Sequence, residues 1–352
     1  MAASQKRKLN LEKLNQLKDV LAPDRVSYAQ ADIVSYSRDM WPRSQLAVRD
    51  GRLPQAPEFI VWPETTEEVS RLIRLANEMR FPVVPFGAGT GVCGGAQAMP
   101  GAVIVDMKRM DRMIDLSGES LYATVETGIV GEHLERLLNR HGYTLGHFPS
   151  SIYCSTLGGF LATRSAGQLS TKYGKIEDMV ISLQAVLPDG SIIRTRNAPR
   201  RATGPDLNHL LLGSEGTLAV ITEASLRIWE KPEAIFFRSF VFSDVFAGME
   251  AMRKLMRAGV RPSVVRLYDE ADTALSMSAI GYEASGCLLI LATEGHPLIA
   301  EKEMEVAGSV CRDQGGKDTG EEPARHWWDH RYSISYNQSP ILSSEGMILD
   351  TI

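Results

Sequence analysis

The run Pro85-Phe86-Gly87-Ala88-Gly89-Thr90-Gly91 is the part of the chain whose residue types point most directly to chemistry. Glycines let backbone N–H groups approach an anion closely, because no Cβ stands in the way and positive φ costs little. The run follows the apolar stretch 83–86 directly, so a diphosphate is its natural guest. A tight turn between two strands would use the same residues, and a short glycine motif alone does not separate the two. A Rossmann nucleotide site is the rival binding reading, since Asp106 stands about 20 residues after Gly87, where that fingerprint places its ribose-binding acid. Chain length opposes it. A parallel crossover needs a connection of roughly 10–12 residues or more, normally a helix. Only the run 96–101, ending in Pro100-Gly101, separates Gly95 from the next apolar strand at Ala102. A diphosphate here would be held by loop backbone alone, which points to a different dinucleotide fold.

The elements that must position this loop are legible around it. Residues 8–21 space their leucines for an amphipathic helix, and 33–57 reads as an irregular arm. Phe59–Trp62 is a short strand. Thr65 caps a helix reaching about Arg80, with Glu68 three residues on. Strands follow at Val83–Phe86 and Ala102–Met107, then a strand at Leu121–Glu126 and a helix at Gly131–His141. The segment 146–174 is rich in Gly, Ser and Thr but too poor in charge for a linker. Met179–Leu187 and Ser191–Thr195 form a hairpin across Pro188-Asp189-Gly190, and Leu218–Trp229 is a long alternating strand. A boundary falls near Lys231-Pro232-Glu233. Beyond it come strand 235–242, helix 244–258, strand 264–268, helix 269–279, strand 287–294 and helix 297–314, an α+β order whose helices are expected on one sheet face. Gly346–Ile352 reads as the beginning of a strand, as though the domain continued past the chain.

Bulk properties remove several function classes. The 352 residues are 44% hydrophobic and 23% charged, as in a globular protein of about two domains. A net charge of −5 supplies no basic field, so nucleic acid is not an expected partner. No apolar run nears the roughly 20 residues of a membrane span. Cys93, Cys154, Cys287 and Cys311 have neither zinc-ligand nor disulfide-framework spacing. A cytoplasmic location fits, with peripheral attachment to a membrane left open, and no metal site is expected.

Two further motifs complete a pattern. Ser155-Thr156-Leu157-Gly158-Gly159 leads into Thr163-Arg164-Ser165-Ala166-Gly167 and Tyr173-Gly174. Leu212-Gly213-Ser214-Glu215-Gly216-Thr217-Leu218-Ala219-Val220-Ile221-Thr222 follows. With Pro63–Val69 and the glycine loop, these resemble, in order over about 60–230, the flavin domain of the vanillyl-alcohol oxidase superfamily. That fold is shared by p-cresol methylhydroxylase, D-lactate dehydrogenases and the glycolate oxidase flavin subunit. Gly146-His147-Phe148-Pro149-Ser150-Ser151 and Tyr173–Asp178 lean toward the alkyldihydroxyacetonephosphate synthase branch and its bacterial relatives.

The resemblance implies a two-subdomain α+β FAD-binding domain of the p-cresol methylhydroxylase type at 25–231. An N-terminal helix and arm precede it at 1–24, and a partial α+β cap domain follows at 232–352. It implies FAD as cofactor, with Pro85, Phe86, Gly87, Ala88, Gly89, Thr90 and Gly91 on the diphosphate. Ser150, Ser151, Ser155, Thr156, Gly158, Gly159, Thr163, Arg164, Ser165 and Ala166 would line the diphosphate and ring. Glu215, Gly216, Thr217 and Ile221 would close around the cofactor. The implied activity is hydride transfer from a small hydroxy-acid or alcohol substrate to flavin N5, the cofactor doing the electron chemistry. An ether-lipid alkyl transferase using FAD without net oxidation is the alternative, and a non-catalytic flavin-binding module a third. The electron acceptor is unnamed, and a homodimer is compatible with all three. The catalytic base is expected beyond Ile352.

Single residues carry their own alternatives. His147 is either a covalent flavin anchor or, the reading favoured, a polar loop residue. Cys154 is read as a small buried hydrophobe rather than a reactive thiol. Arg164 could hold a phosphate or a structural carboxylate. Glu177 and Asp178 read as a solvated edge. In His326-Trp327-Trp328-Asp329-His330-Arg331-Tyr332, helical spacing places Trp327 and Arg331 together. Arg331 would bind a substrate carboxylate or phosphate, or sit in a salt bridge beside packed Trp rings. His326 and His330 lack a third ligand.

Overall fold

The computed structural model describes residues 2–52, 55–199, 202–278, 280–282 and 285–333. The N-terminal leucine pattern gives the helix Ala2–Val20, with Leu17 and the following Leu21 buried. Thr65 caps the helix Thr66–Met79 by accepting from the Glu68 amide at 3.2 Å. Val69, Leu72, Leu75 and Ala76 form the buried stripe of that helix. It covers a sheet in which Phe59–Val61, Val103–Asp106 and Val83–Phe86 run parallel, with Val26–Ser27 antiparallel at one edge.

The glycine loop therefore joins two neighbouring parallel strands, and among the described residues the stretch 87–102 contains no helix. The expectation that a parallel connection needs a helix fails here, while its consequence, a fold other than Rossmann, stands. Asp106, fully buried, is committed to Tyr36, Trp62 and Lys108, so its carboxylate is not open to a ribose.

A second sheet lies beside the first. Its five antiparallel strands run in the order Met113–Ser117, Tyr122–Glu126, Val220–Arg227, Val180–Val186, Ile192–Arg194. Met113–Ser117 escapes a reading by alternation because none of its residues is fully buried. The segment 146–174 contains the short helices Leu157–Thr163 and Ser170–Tyr173, too brief to show a 3.6-residue period. Residues 33–57, expected to be irregular, hold the helix Pro42–Arg49, opened by a proline at its first position.

Beyond Glu233, four antiparallel strands stand in the order Val264–Leu267, Cys287–Gly295, Ala234–Phe242, Lys317–Gly320. This is the order of a βαββαβ unit. Helices Val245–Arg257 and Pro297–Asp313 cover one face through Phe240, Phe242, Leu289 and Leu291. The expectation of helices on one face only is corrected: Met277 of Glu270–Ser278 and Ala324 of Glu322–His330 pack on the other face with Leu288 and Ile290. Cys287 to Glu294 is buried at every position, so neither face could be left to water. That second face continues into the core of the first domain through Tyr173, Leu183 and Ile228. Among the described residues no helix is long and apolar enough to cross a membrane. The strand expected at Gly346–Ile352 lies outside the described residues.

Candidate flavin site

Three stretches far apart in sequence meet along one seam. Gly87 lies against Thr156, where an added Cβ would stand 2.3 Å from the Thr156 hydroxyl oxygen. Thr90 and Ser155 share a hydroxyl–hydroxyl hydrogen bond of 2.6 Å. Gly216, at φ +79°, backs onto Pro85, so only glycine fits both its conformation and its space. Thr156 is held in turn as the cap of Leu157–Thr163, accepting from the Gly159 amide at 3.3 Å. From Gly87 to Gly91 the loop carries nothing larger than Thr90. Ala88, Gly89 and Thr90 are half-buried and Gly91 is exposed, so backbone can reach a ligand from the solvent side.

The other expected residues fall around the seam, several with polar groups already engaged. The Ser151 carbonyl accepts the amides of Cys154 and Ser155 at 3.0 and 2.9 Å, closing a turn that leaves Ser150 exposed. Cys154 is half-buried, not buried. Thr163 donates its hydroxyl back to the Gly159 carbonyl at 2.9 Å, and Ala166 is exposed. Arg164 has a partner of a kind not considered: it donates to the carbonyls of Leu212 at 3.1 Å and His209 at 2.8 Å, tying the second motif to the third. The Glu215 amide donates to the Ala162 carbonyl at 3.1 Å. Arg164 and Glu215 both hold left-handed backbone, at φ 50° and 48°, a strain that concentrates at ligand clamps. Thr217 donates to the Ser214 carbonyl at 2.6 Å. Ile221 is nearly buried, and its carbonyl accepts the Thr127 hydroxyl at 2.6 Å. Gly158 donates its amide to the Thr127 carbonyl at 2.7 Å.

At the deep end the seam meets the second domain. His147 is 2% exposed, and burial pushes its imidazole down to about 4, so it is neutral at pH 7. Its Nε2 stands 3.3 Å from the Ser165 hydroxyl, while its Nδ1 has no protein partner among the described residues. Gln168 Oε1, Glu177 Oε2 and Arg331 Nε are likewise buried without one. Arg331 does not pair with Trp327 as helical spacing suggested. Its guanidinium lies 4.1 Å from the Trp328 ring centroid and 4.7 Å from that of Tyr332, and the Gln168 amide donates to its carbonyl at 3.2 Å. Tyr173 donates to the Glu294 carboxylate across the two domains. Burial raises the pKa of both groups.

Elsewhere, Asp178 accepts from the Lys175 amide at 2.8 Å as part of a helix cap, and Glu177 accepts from the Lys175 ammonium at 2.7 Å in an ion pair. His326 and His330 stack with ring centroids 4.2 Å apart. Among the described residues no three His, Cys, Asp or Glu side chains are grouped to hold a metal.

A flavin dinucleotide needs close backbone approach for two phosphates and polar groups around a flat heteroaromatic ring. The bare loop packed on Thr156 and the unpartnered polar atoms of His147, Gln168 and Arg331 meet both needs, so the residues fit the cofactor. Sequence reasoning missed Lys108, Thr127, Gln168 and Glu294, and placed Tyr173 in a motif without its Glu294 partner. Only Lys108, two positions past a strand-ending Asp, carried a local signal.

The fold is that of the FAD-linked oxidases. Residues 57–196 match the FAD binding domain family, and residues 231–351 match the C-terminal domain of FAD linked oxidases. The chain belongs to the FAD-linked oxidase superfamily, and FAD is its cofactor. It is 37% identical over 303 residues to an FAD-linked oxidoreductase of Escherichia coli, covering 85% of this chain and 62% of the relative. It is 30% identical over 351 residues to alkyldihydroxyacetonephosphate synthase of Dictyostelium discoideum, covering 92% and 57%. A solved alkyldihydroxyacetonephosphate synthase superposes with a TM-score of 0.86 at 30% identity, covering 95% and 64%. p-Cresol methylhydroxylase, at 18% identity and a TM-score of 0.72, covering 97% and 70%, shares the fold. The chain thus spans about three fifths of the length of the curated relatives it matches.

Proposed function

We propose that the protein is an FAD-dependent oxidoreductase acting on a small hydroxy-acid or alcohol substrate. The single observation that supports this most is the seam at which Gly87, Thr156, Ser155 and Gly216 meet. FAD, when bound, supplies a two-electron acceptor at N5. The chain's own residues do the rest. Pro85–Gly91, Ser150–Thr156 and Thr163–Ala166 hold the dinucleotide through backbone, and Glu215, Gly216, Thr217 and Ile221 close the seam. His147, neutral at pH 7, can exchange one hydrogen bond with the ring without bringing a charge. Arg331, stacked between Trp328 and Tyr332 with Nε unengaged, offers a cation for a substrate carboxylate or phosphate. The domain boundary falls at 231–232, and the reaction is placed in the cytoplasm, at or away from a membrane surface.

The similarity to alkyldihydroxyacetonephosphate synthase supports a second reading, transfer of an alkyl group in ether-lipid synthesis. Anaerobic spectroscopy separates the two. An oxidoreductase loses its oxidised-flavin absorbance when given its hydroxy-acid or alcohol substrate. A synthase is silent there and turns over acyl-dihydroxyacetone phosphate with a long-chain alcohol. A protein that remains colourless after incubation with excess FAD removes both readings.

A further inference from the structure

Lys108 sits where the strand Val103–Asp106 ends, directly behind the glycine loop. Its ammonium donates to the buried Asp106 carboxylate at 2.7 Å and to the Gly87 carbonyl at 2.6 Å. It also lies 5.4 Å from the Tyr36 ring centroid and 5.5 Å from that of Phe86. Neutralising Asp106 does not exhaust its role, because that carboxylate already accepts from the Tyr36 hydroxyl, the Trp62 indole at 3.1 Å and the Lys108 amide at 2.9 Å. The bond to Gly87 is the informative one. A peptide unit is planar and trans, so its carbonyl and the next N–H point opposite ways. Pinning the Gly87 carbonyl toward Lys108 turns the Ala88 N–H away from it. Without the pin, a peptide following glycine is free to flip.

Resting on the FAD-binding reading above, we propose that Lys108 is a positioning residue for the cofactor's diphosphate. Bridging Asp106 and Gly87, it fixes the first peptide of the loop so that the amides after it face the phosphates. The N-terminal arm reinforces the same loop. Tyr36 packs on Phe86 at 5.0 Å between ring centroids, and the Met40 amide donates to the Gly91 carbonyl at 3.1 Å.

The test titrates apo-protein with FAD and with ADP, which shares the diphosphate, and follows thermal unfolding of the apo form. Lys108→Met should weaken both ligands by roughly 10- to 100-fold, the loss expected of a charged hydrogen bond. Because that change strands the Asp106 carboxylate, Asp106→Asn/Lys108→Met is made as well. It should recover the unfolding midpoint while ligand binding stays weak. Recovery of FAD affinity together with stability in the double variant, or unchanged affinity in Lys108→Met, overturns the proposal. Failure of the unaltered chain to bind FAD at all overturns the flavin reading and this one together.

Discussion

His147 shows how one buried side chain sets a pH response. The unfolded imidazole takes a proton near 6.5, the folded one only near 4, because burial penalises the cation. Between those values the unfolded chain binds more protons, so stability falls as pH drops from 6.5 toward 4. The full effect is at most roughly 3 kcal/mol. Glu135 and Glu294 work the other way: burial raises their pKa, the folded state holds their protons longer, and acid favours it. Replacing His147 isolates its part. In urea unfolding across this range, His147→Gln should lose less stability on acidification than the unaltered protein. Identical acid slopes would contradict the assignment. That His147 stands beside the second glycine motif was legible in the sequence. Its burial was not, because Phe160, 5.0 Å away, arrives from a separate helix.

The seam between the glycine loop and the helix Leu157–Thr163 is a matter of elements. Each glycine motif reads as a permissive backbone, but what the permissiveness serves appears only where the elements touch. Gly87 does not hold a positive φ; it is required because Thr156 occupies the space of a Cβ. Gly87→Ala should therefore push the loop off the helix cap and weaken FAD binding by roughly 10-fold or more, the scale of overpacking a tight contact. Thr156→Ala removes the obstructing hydroxyl at a cost of about 1 kcal/mol for the lost cap. In the double variant FAD affinity should recover part of its loss, read by flavin fluorescence quenching. A Gly87→Ala protein that binds FAD normally would show that the contact is slack. The long helix Thr66–Met79 matched its hydrophobic period closely. The short helices near the site did not, since a helix of two turns or fewer displays almost no period.

At the scale of the whole molecule, the two domains share one core rather than meeting across a wet cleft. Tyr173, Lys172 and Gln168 from the first domain reach Glu294 and Arg331 of the second. The Tyr173 hydroxyl and the Glu294 carboxylate are both nearly excluded from solvent, so removing one strands the other. Tyr173→Phe should cost about 1–3 kcal/mol in urea unfolding. It should also speed amide exchange in the strand Cys287–Gly295 more than in Val180–Val186. Equal acceleration in both strands would mean the bond supports the fold as a whole and not the docking of the second domain.

The sequence by itself determined the cofactor class and the order of most strands and long helices, and it singled out three stretches for the FAD site. Those properties reside in local periodicity and in glycine and hydroxyl residues whose function is set within a few positions. Tertiary structure alone decided that Arg164 would clamp carbonyls, that Lys108 would pin Gly87, that Arg331 would stack on Trp328, and that both faces of the second sheet would be covered. Each of these depends on a partner remote in sequence. A polar side chain takes whichever acceptor, ring or charge the packed core leaves within reach, and that choice is made only when the elements come together.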